Sequence, residues 1–217
     1  KLGMNLIRKL DITCCPYCNK NYTSYLTFHK TGVTSISDIF PEFDHFYPRS
    51  KYPLLGISFY NLIPSCNFCN SHIKSSADSL KLNLFHPYTH FKNQGVKFKF
   101  YPTNFKSLIG LDRNYKFDFS YTESTLVNRS LKKSVSFFGI KEIYESCHSD
   151  LIKDIIDKRI TYSSKYLSKI EKSYTLSFEQ SYKILFETNY EDDLLHKRPF
   201  SKLKKDIYND LEIAKYY

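Results

Sequence analysis

The chain has 217 residues, a formal net charge of +10, 41% hydrophobic and 17% aromatic residues. That length suits one ordinary domain, or a small motif joined to a larger body, and that apolar content excludes wholesale disorder. No apolar run approaches the roughly 18 residues of a membrane-spanning helix, and the opening residues carry no apolar signal core, so no membrane partner and a cytoplasmic location are expected.

The positive charge is unevenly placed. Residues 1–100 hold 12 Lys and Arg against 5 Asp and Glu, whereas residues 101–217 hold 20 against 17. A basic chain of this size attracts polyanions, of which nucleic acid is the commonest in a cell. A Lys-rich surface that serves only solubility has the same composition, so charge names a partner class and no chemistry.

Along the chain, the first informative segment is Cys15-Pro-Tyr-Cys18, matched after 47 intervening residues by Cys66-Asn-Phe-Cys69. A C-x-x-C turn aims two thiolates at one point about 2.3 Å away, and a second such turn completes the tetrahedron of a structural zinc. Disulfides compete poorly, because closely spaced thiols make strained, reducible bonds and no secretory address is present. Read alone, Cys15–Cys18 spells the redox motif of glutaredoxins, which needs a strand before it, a helix after it and no distant partner pair. Residues 19–23 instead read as a knuckle followed by a strand. Cys14 could replace Cys15 only by distorting that knuckle, and Cys147 reads as a small buried apolar residue.

Between the pairs, the run from Phe40 to Phe46 alternates as a short strand and breaks at Pro48. Residues 60–65 form an apolar strand that enters the second knuckle, and residues 70–82 suit a helix. Further on, Val96–Tyr101 and Tyr115–Phe119 alternate cleanly and predict paired strands, as a half-buried hairpin or a stacking surface for nucleic acid. From Ser130 the period becomes helical through Ile160, with a break at Gly139; residues 178–187 and 201–215 predict two more helices, the last N-capped by Ser201. Five Lys and Arg lie within 197–205, a cluster that suits a phosphate backbone, an acidic partner or plain solvent. The pattern divides the chain into a strand–loop–strand–helix module over 1–90, stapled by the cysteines, and a hairpin with a helical extension over 91–217.

Asp44-His45, Asn61 and the Cys69-Asn70-x-x-x-Lys74 ending, flanked by the C-x-x-C pairs in this order, resemble the HNH nuclease family with its ββα-metal fold. The resemblance covers roughly residues 12–82. It implies an α+β fold: a zinc-stapled ββα-metal module with a mainly α-helical C-terminal extension. It also implies a metal-dependent endonuclease that hydrolyses phosphodiester bonds. In that chemistry His45, titrating near neutrality, suits the general base. Asp44 and Asn70 resemble the ligand pair of a hard divalent cation such as Mg2+ acting as Lewis acid, although strand alternation sets Asp44 opposite His45. His72 competes with Asn70 for that role, or contacts phosphate. Asn61 is carried over as a structural residue whose amide ties the loop that orients His45. Arg49, Lys51 and Lys74 are the nearest cations, suited to clamping a phosphate backbone or simply solvated.

The long helical extension resembles that of PtuB-type HNH nuclease subunits of Septu anti-phage systems, which also accompany some retrons and work with a PtuA-like ATPase. On that resemblance the extension is a docking surface for the ATPase. DNA is the favoured substrate; an RNA- or tRNA-cleaving toxin uses the same chemistry, and a non-catalytic zinc-stapled adaptor uses the same scaffold. One equivalent of tightly bound zinc per chain by elemental analysis is the expected outcome, and a zinc-free, redox-active protein would instead indicate the glutaredoxin reading.

Overall fold

The computed structural model describes residues 2–24, 26–29, 36–39, 41–90, 95–109, 111–122 and 124–213. Phe40, the residues past 213 and the side chain of Cys147 therefore lie outside the described set. The fold is mixed α and β, and the chain divides into two compact units: Lys1–Phe91 with His196–Pro199, and Lys92–Leu195 with Phe200–Tyr217. No helix among the described residues is long and apolar enough to cross a membrane.

The first unit opens with helix α1 (Leu2–Leu10), which buries Leu6 and Ile7, and continues to an antiparallel pair, β1 (Leu26–His29) and β2 (Ile36–Ile39). Neither α1 nor this hairpin is evident in the sequence pattern. The central pair is β3 (Glu42–His45) against β4 (Leu62–Ser65), with Asp44 opposite Ile63 and His45 opposite Leu62. Their connection folds into two single turns of 3-10 helix, Pro53–Leu55 and Phe59–Asn61. Pro53 opens the first, where its fixed φ suits a turn and its missing N–H costs nothing.

After β4 the chain forms a π-helix over Phe68–Lys74 rather than an α-helix reaching residue 82. The Ser75 amide donates to the Asn70 carbonyl at 2.6 Å, and Ser75 then takes a left-handed φ of 45°, which ends the helix one turn after Asn70. The wider turn rotates Lys74 inward. Its side chain is buried, which a sequence period of 3.6 does not foresee.

The second unit is built on β5 (Val96–Pro102) and β6 (Tyr115–Tyr121), paired antiparallel with Phe98 opposite Phe119 and Phe100 opposite Phe117. Val96, Phe98, Tyr115 and Phe117 face inward and Lys97, Lys116 and Asp118 face solvent, the half-buried form of the expected hairpin. Six helices follow or interrupt it: α2 (Phe105–Leu108), α3 (Thr125–Phe137), α4 (Ile140–Cys147), α5 (Ser149–Thr161), α6 (Ser164–Tyr174) and α7 (Phe178–Phe186); α8 (Ser201–Ile213) comes last. Gly139, with a φ of +58°, makes the break between α3 and α4 that a side chain would strain. A capping box of Ser177 and Gln180 starts α7.

A two-stranded ribbon has two open edges, and here helices close both. Asp206 of α8 accepts the Phe98 amide at 2.8 Å, and Glu145 of α4 accepts the Phe117 amide at 2.9 Å. Leu203 and Ile207 of α8 and Tyr144 of α4 fill the core, with the Phe98 and Tyr144 rings 4.9 Å apart. Asp206 is nearly fully buried and its charge is balanced by Lys202 at 2.8 Å. Burial pushes its carboxyl above the ordinary range despite that lysine.

The folded state therefore holds the Asp206 proton more tightly than the unfolded chain does. Its contribution to stability is present below the unfolded pKa and declines as pH rises through the folded pKa. In urea denaturation between about pH 4 and about pH 7, Asp206→Asn is expected to flatten that decline, whereas Asp206→Ala, which orphans the Phe98 amide, is expected to cost about 1–3 kcal/mol throughout.

Candidate metal centre and its neighbouring histidine

The sulfur atoms of Cys15, Cys18, Cys66 and Cys69 lie within 4.8 Å of one another, all four residues buried. Cys18 and Cys66 sit 3.9 Å apart, close to the roughly 3.8 Å edge of a tetrahedron with 2.3 Å zinc–sulfur bonds. None of these cysteines is in a disulfide. The four could hold a zinc ion, and their chemistry fits one. Without a cation the packed thiols work against each other: burial pushes Cys15 well above its ordinary value, and hydrogen bonds from Cys15, Cys18 and Cys66 do the same to Cys69, while those from its three neighbours hold Cys66 well below. A cation held by these four sulfurs would favour their ionised forms together.

Each pair is shaped by its own turn. In the first, the Asn19 amide closes onto the Cys15 carbonyl at 2.8 Å and the Lys20 amide reaches the Cys18 sulfur at 3.5 Å. Asn19 takes a left-handed φ of 49°, which asparagine tolerates well. Only a single bridge, Tyr22 to Cys14, follows this knuckle where the sequence predicts a strand. Cys14 is buried outside the cluster, and burial pushes its thiol up to about 12, so it stays a neutral core residue. The backbone of His196 returns to this point, its carbonyl accepting the Cys14 amide at 3.0 Å, while Lys197 pairs with Asp11.

Strand β3 presents alternate side chains to opposite sides. On one side Asp44, 2% exposed, is shared by two donors: the Tyr17 hydroxyl at 2.5 Å and the Lys74 ammonium at 2.8 Å. Lys74 also donates to the His45 carbonyl at 2.8 Å. Burial and the Asp44 carboxylate push the Tyr17 hydroxyl well above its ordinary value, so it remains a donor. Two expectations change here. Lys74 is 1% exposed and neutralised, so it does not contact a phosphate backbone in this arrangement. Asp44 has both carboxylate oxygens engaged, so a divalent ion would have to compete with Lys74 and Tyr17 for them.

Asn70, the other expected ion ligand, donates its amide to Glu42 at 2.9 Å, together with Asn67 at 2.5 Å and Ser71 at 2.7 Å. Partial burial opposes these bonds, but together they hold the Glu42 carboxyl below its ordinary value. Asp44 and Asn70 thus serve different partners in this structure, Asp44 through its two oxygens and Asn70 through its Nδ2. His72 is exposed on the π-helix.

On the other side of β3, half-buried His45 places Nε2 2.9 Å from the Gly56 carbonyl. A carbonyl only accepts, so Nε2 is the donor, and in the neutral form of the ring the lone pair then lies on Nδ1. Asn61 fastens this loop: its Oδ1 accepts the Tyr47 amide at 2.7 Å, and its Nδ2 donates to the carbonyls of Tyr47 and Leu55 at 3.1 and 3.0 Å. Arg49 is exposed beside Gly56, and half-exposed Lys51 pairs with Asp78 at 3.3 Å. The sequence does not single out Tyr17, Glu42 or Gly56. Only Tyr17 leaves a signal there, its place inside the first C-x-x-C.

The basic run at 197–205 is largely consumed within the protein. Lys202 pairs with Asp206, Lys205 pairs with Asp192, and Lys204 donates to the Phe186 carbonyl.

Compared with known proteins, the chain matches no family model, no curated protein and no solved structure.

Replacing Lys74 by Met leaves the Asp44 charge buried beside Tyr17 alone. A loss of about 3–5 kcal/mol in chemical denaturation is expected, with much of it recovered when Asp44→Leu is added, because a buried pair costs least when both charges leave together.

Proposed function

We propose that the chain is an HNH-type endonuclease that hydrolyses phosphodiester bonds in DNA, with a structural zinc in its four-cysteine cluster. The observation that carries this reading is the His45–Gly56 hydrogen bond, fastened by Asn61. It fixes the imidazole tautomer and leaves Nδ1 as a base beside a surface with Arg49 exposed. In the proposed step His45 Nδ1 takes the proton from a water that attacks phosphorus in line, and the opposite bond from phosphorus to the sugar oxygen breaks. That oxygen leaves with a proton from solvent while Arg49 lies beside the phosphoryl oxygens. The order of residues, Asp44-His45, Asn61 and Asn70 between two cysteine pairs, supports the same reading. Divalent-ion dependence comes with the resemblance to the family. An anti-phage setting with a PtuA-like ATPase likewise rests on the resemblance, with the helical second unit as the docking element.

A second reading has its own observation. Asp44 closed by Lys74 and Tyr17 favours a zinc-stapled binding module without catalysis. The two readings give different results on nucleic acid. Plasmid incubated with the zinc-loaded chain and Mg2+ is expected to be nicked by the wild type and spared by His45→Ala, which retains zinc and fold. Equal nicking by both proteins removes His45 as base, and no cleavage of DNA or RNA under any divalent ion leaves the binding module.

A further inference from the structure

Between Asp44 and Asp78 the sequence contains no carboxylate. That stretch includes the most exposed large apolar side chains among the described residues of the first unit: Leu54 at 93%, Ile57 at 84% and Tyr60 at 71%. They stand on the loop whose Gly56 carbonyl receives His45, so Ile57 is the residue directly after the candidate base's partner.

This loop is braced. The Leu55, Gly56, Ser58 and Asn61 amides bond successively to the carbonyls of Tyr52, Pro53, Leu55 and Ser58 at 3.0–3.1 Å. Asn61 Nδ2 grips the Leu55 carbonyl from within. A Cβ at Gly56 would meet the Pro53 carbonyl oxygen at 3.1 Å and the Arg49 stem at 3.2 Å, so the backbone is drawn tight at this point. Holding branched aliphatic side chains outward on a hydrogen-bonded loop costs solvation that a flexible loop avoids by folding them in. The same bracing lowers the entropy lost when a partner covers them.

Charge selects that partner. Arg49 is exposed and no residue from 45 to 77 is acidic, while Asp78 reaches this loop at Lys51 and Tyr52, so the charge that Arg49 sets beside the tips complements a polyanion. The aliphatic character of its two most exposed tips then selects how the polyanion is met. Leucine and isoleucine are poor stacking platforms for loose bases but are effective wedges between the base pairs of a duplex.

We propose that Leu54 and Ile57 form a wedge that enters a base step of duplex DNA, with Arg49 on the flanking phosphate. The proposal rests on the nucleic-acid reading of the His45 site and adds to it the form of the substrate and the act of distorting it. Unstacking is cheapest at pyrimidine–purine steps, so the wedge prefers TA and CA steps to A-tracts. Kinking beside His45 would widen access to the phosphate that Nδ1 faces.

The test uses the full zinc-loaded chain with Ca2+ in place of Mg2+, and duplexes carrying 2-aminopurine at a TA step or inside an A-tract. A rise in fluorescence of roughly several-fold is expected at the TA step on binding and little in the A-tract, in line with the step flexibilities. Leu54→Ser with Ile57→Ser is expected to cancel the rise and weaken duplex binding about tenfold, without changing the slope of log affinity against log salt. Arg49→Gln is expected to reduce that slope by about one. Both wedge positions are solvent-facing, and zinc content with circular dichroism checks the fold.

Three results overturn the proposal: a bound duplex without a fluorescence change, a double variant that binds duplex like the wild type, or a chain that binds only single strands or no nucleic acid. The nuclease reading has its own outcome. A fluorescence rise without Mg2+-dependent cutting keeps the wedge and removes the nuclease; cutting without the rise does the reverse.

Discussion

The first unit depends on four buried sulfurs meeting at one point. Two cysteine pairs with 47 residues between them converge to within 4.8 Å, a geometry that could hold a zinc ion. The consequence runs outward through short links. Cys69 lies in the first turn of the π-helix that carries Asn70 and Lys74, and Cys66 comes directly after β4. Tyr17, held between Cys15 and Cys18, reaches Asp44 on β3. Lys74 then joins Asp44 to the His45 carbonyl. The cysteine cluster and the histidine strand are thereby connected through one buried carboxylate.

That carboxylate divides β3 into two functions. On its inner side Asp44 spends its charge on Lys74 and Tyr17, an arrangement that is expensive to break and contributes modestly to net stability. On its outer side His45 is oriented by a backbone carbonyl and a side-chain amide clamp, with no charge spent at all. The same four-residue strand thus carries a structural ion pair and a candidate base back to back. Alternation along a strand makes this possible, and it sets the adjacent side chains of Asp44 and His45 on opposite sides.

The second unit solves a different problem. Its β5–β6 ribbon is too narrow to stand alone, and carboxylates from α4 and α8 complete its edges while aromatic rings fill the space between. The basic run near the C-terminus, conspicuous in sequence, is divided among Asp11, Asp192, Asp206 and a backbone carbonyl. Little of its charge is left for an external polyanion, which shifts attention to the carboxylate-free loop near His45.

By itself the amino-acid sequence determined the features that depend on spacing and period. The cysteine pairs have ligand spacing, β5 and β6 alternate, and the helices from 130 onward repeat at 3.6, because each signal lies within a few residues of chain. Tertiary structure alone decided which charges are free. Lys74 reads as a surface cation until a π-turn rotates it onto Asp44, and the lysines at 197–205 read as a patch until Asp11, Asp192, Asp206 and the Phe186 carbonyl meet them. Asp44 reads as an ion ligand until Tyr17 and Lys74 take both its oxygens. Helix α1, the β1–β2 hairpin and α6 also escape the pattern, their periods being too short or weak to stand out. A charge is defined by its partners, and partners such as Tyr17 and Lys74 for Asp44, or Asp11 for Lys197, 27 to 186 residues away, leave no local trace.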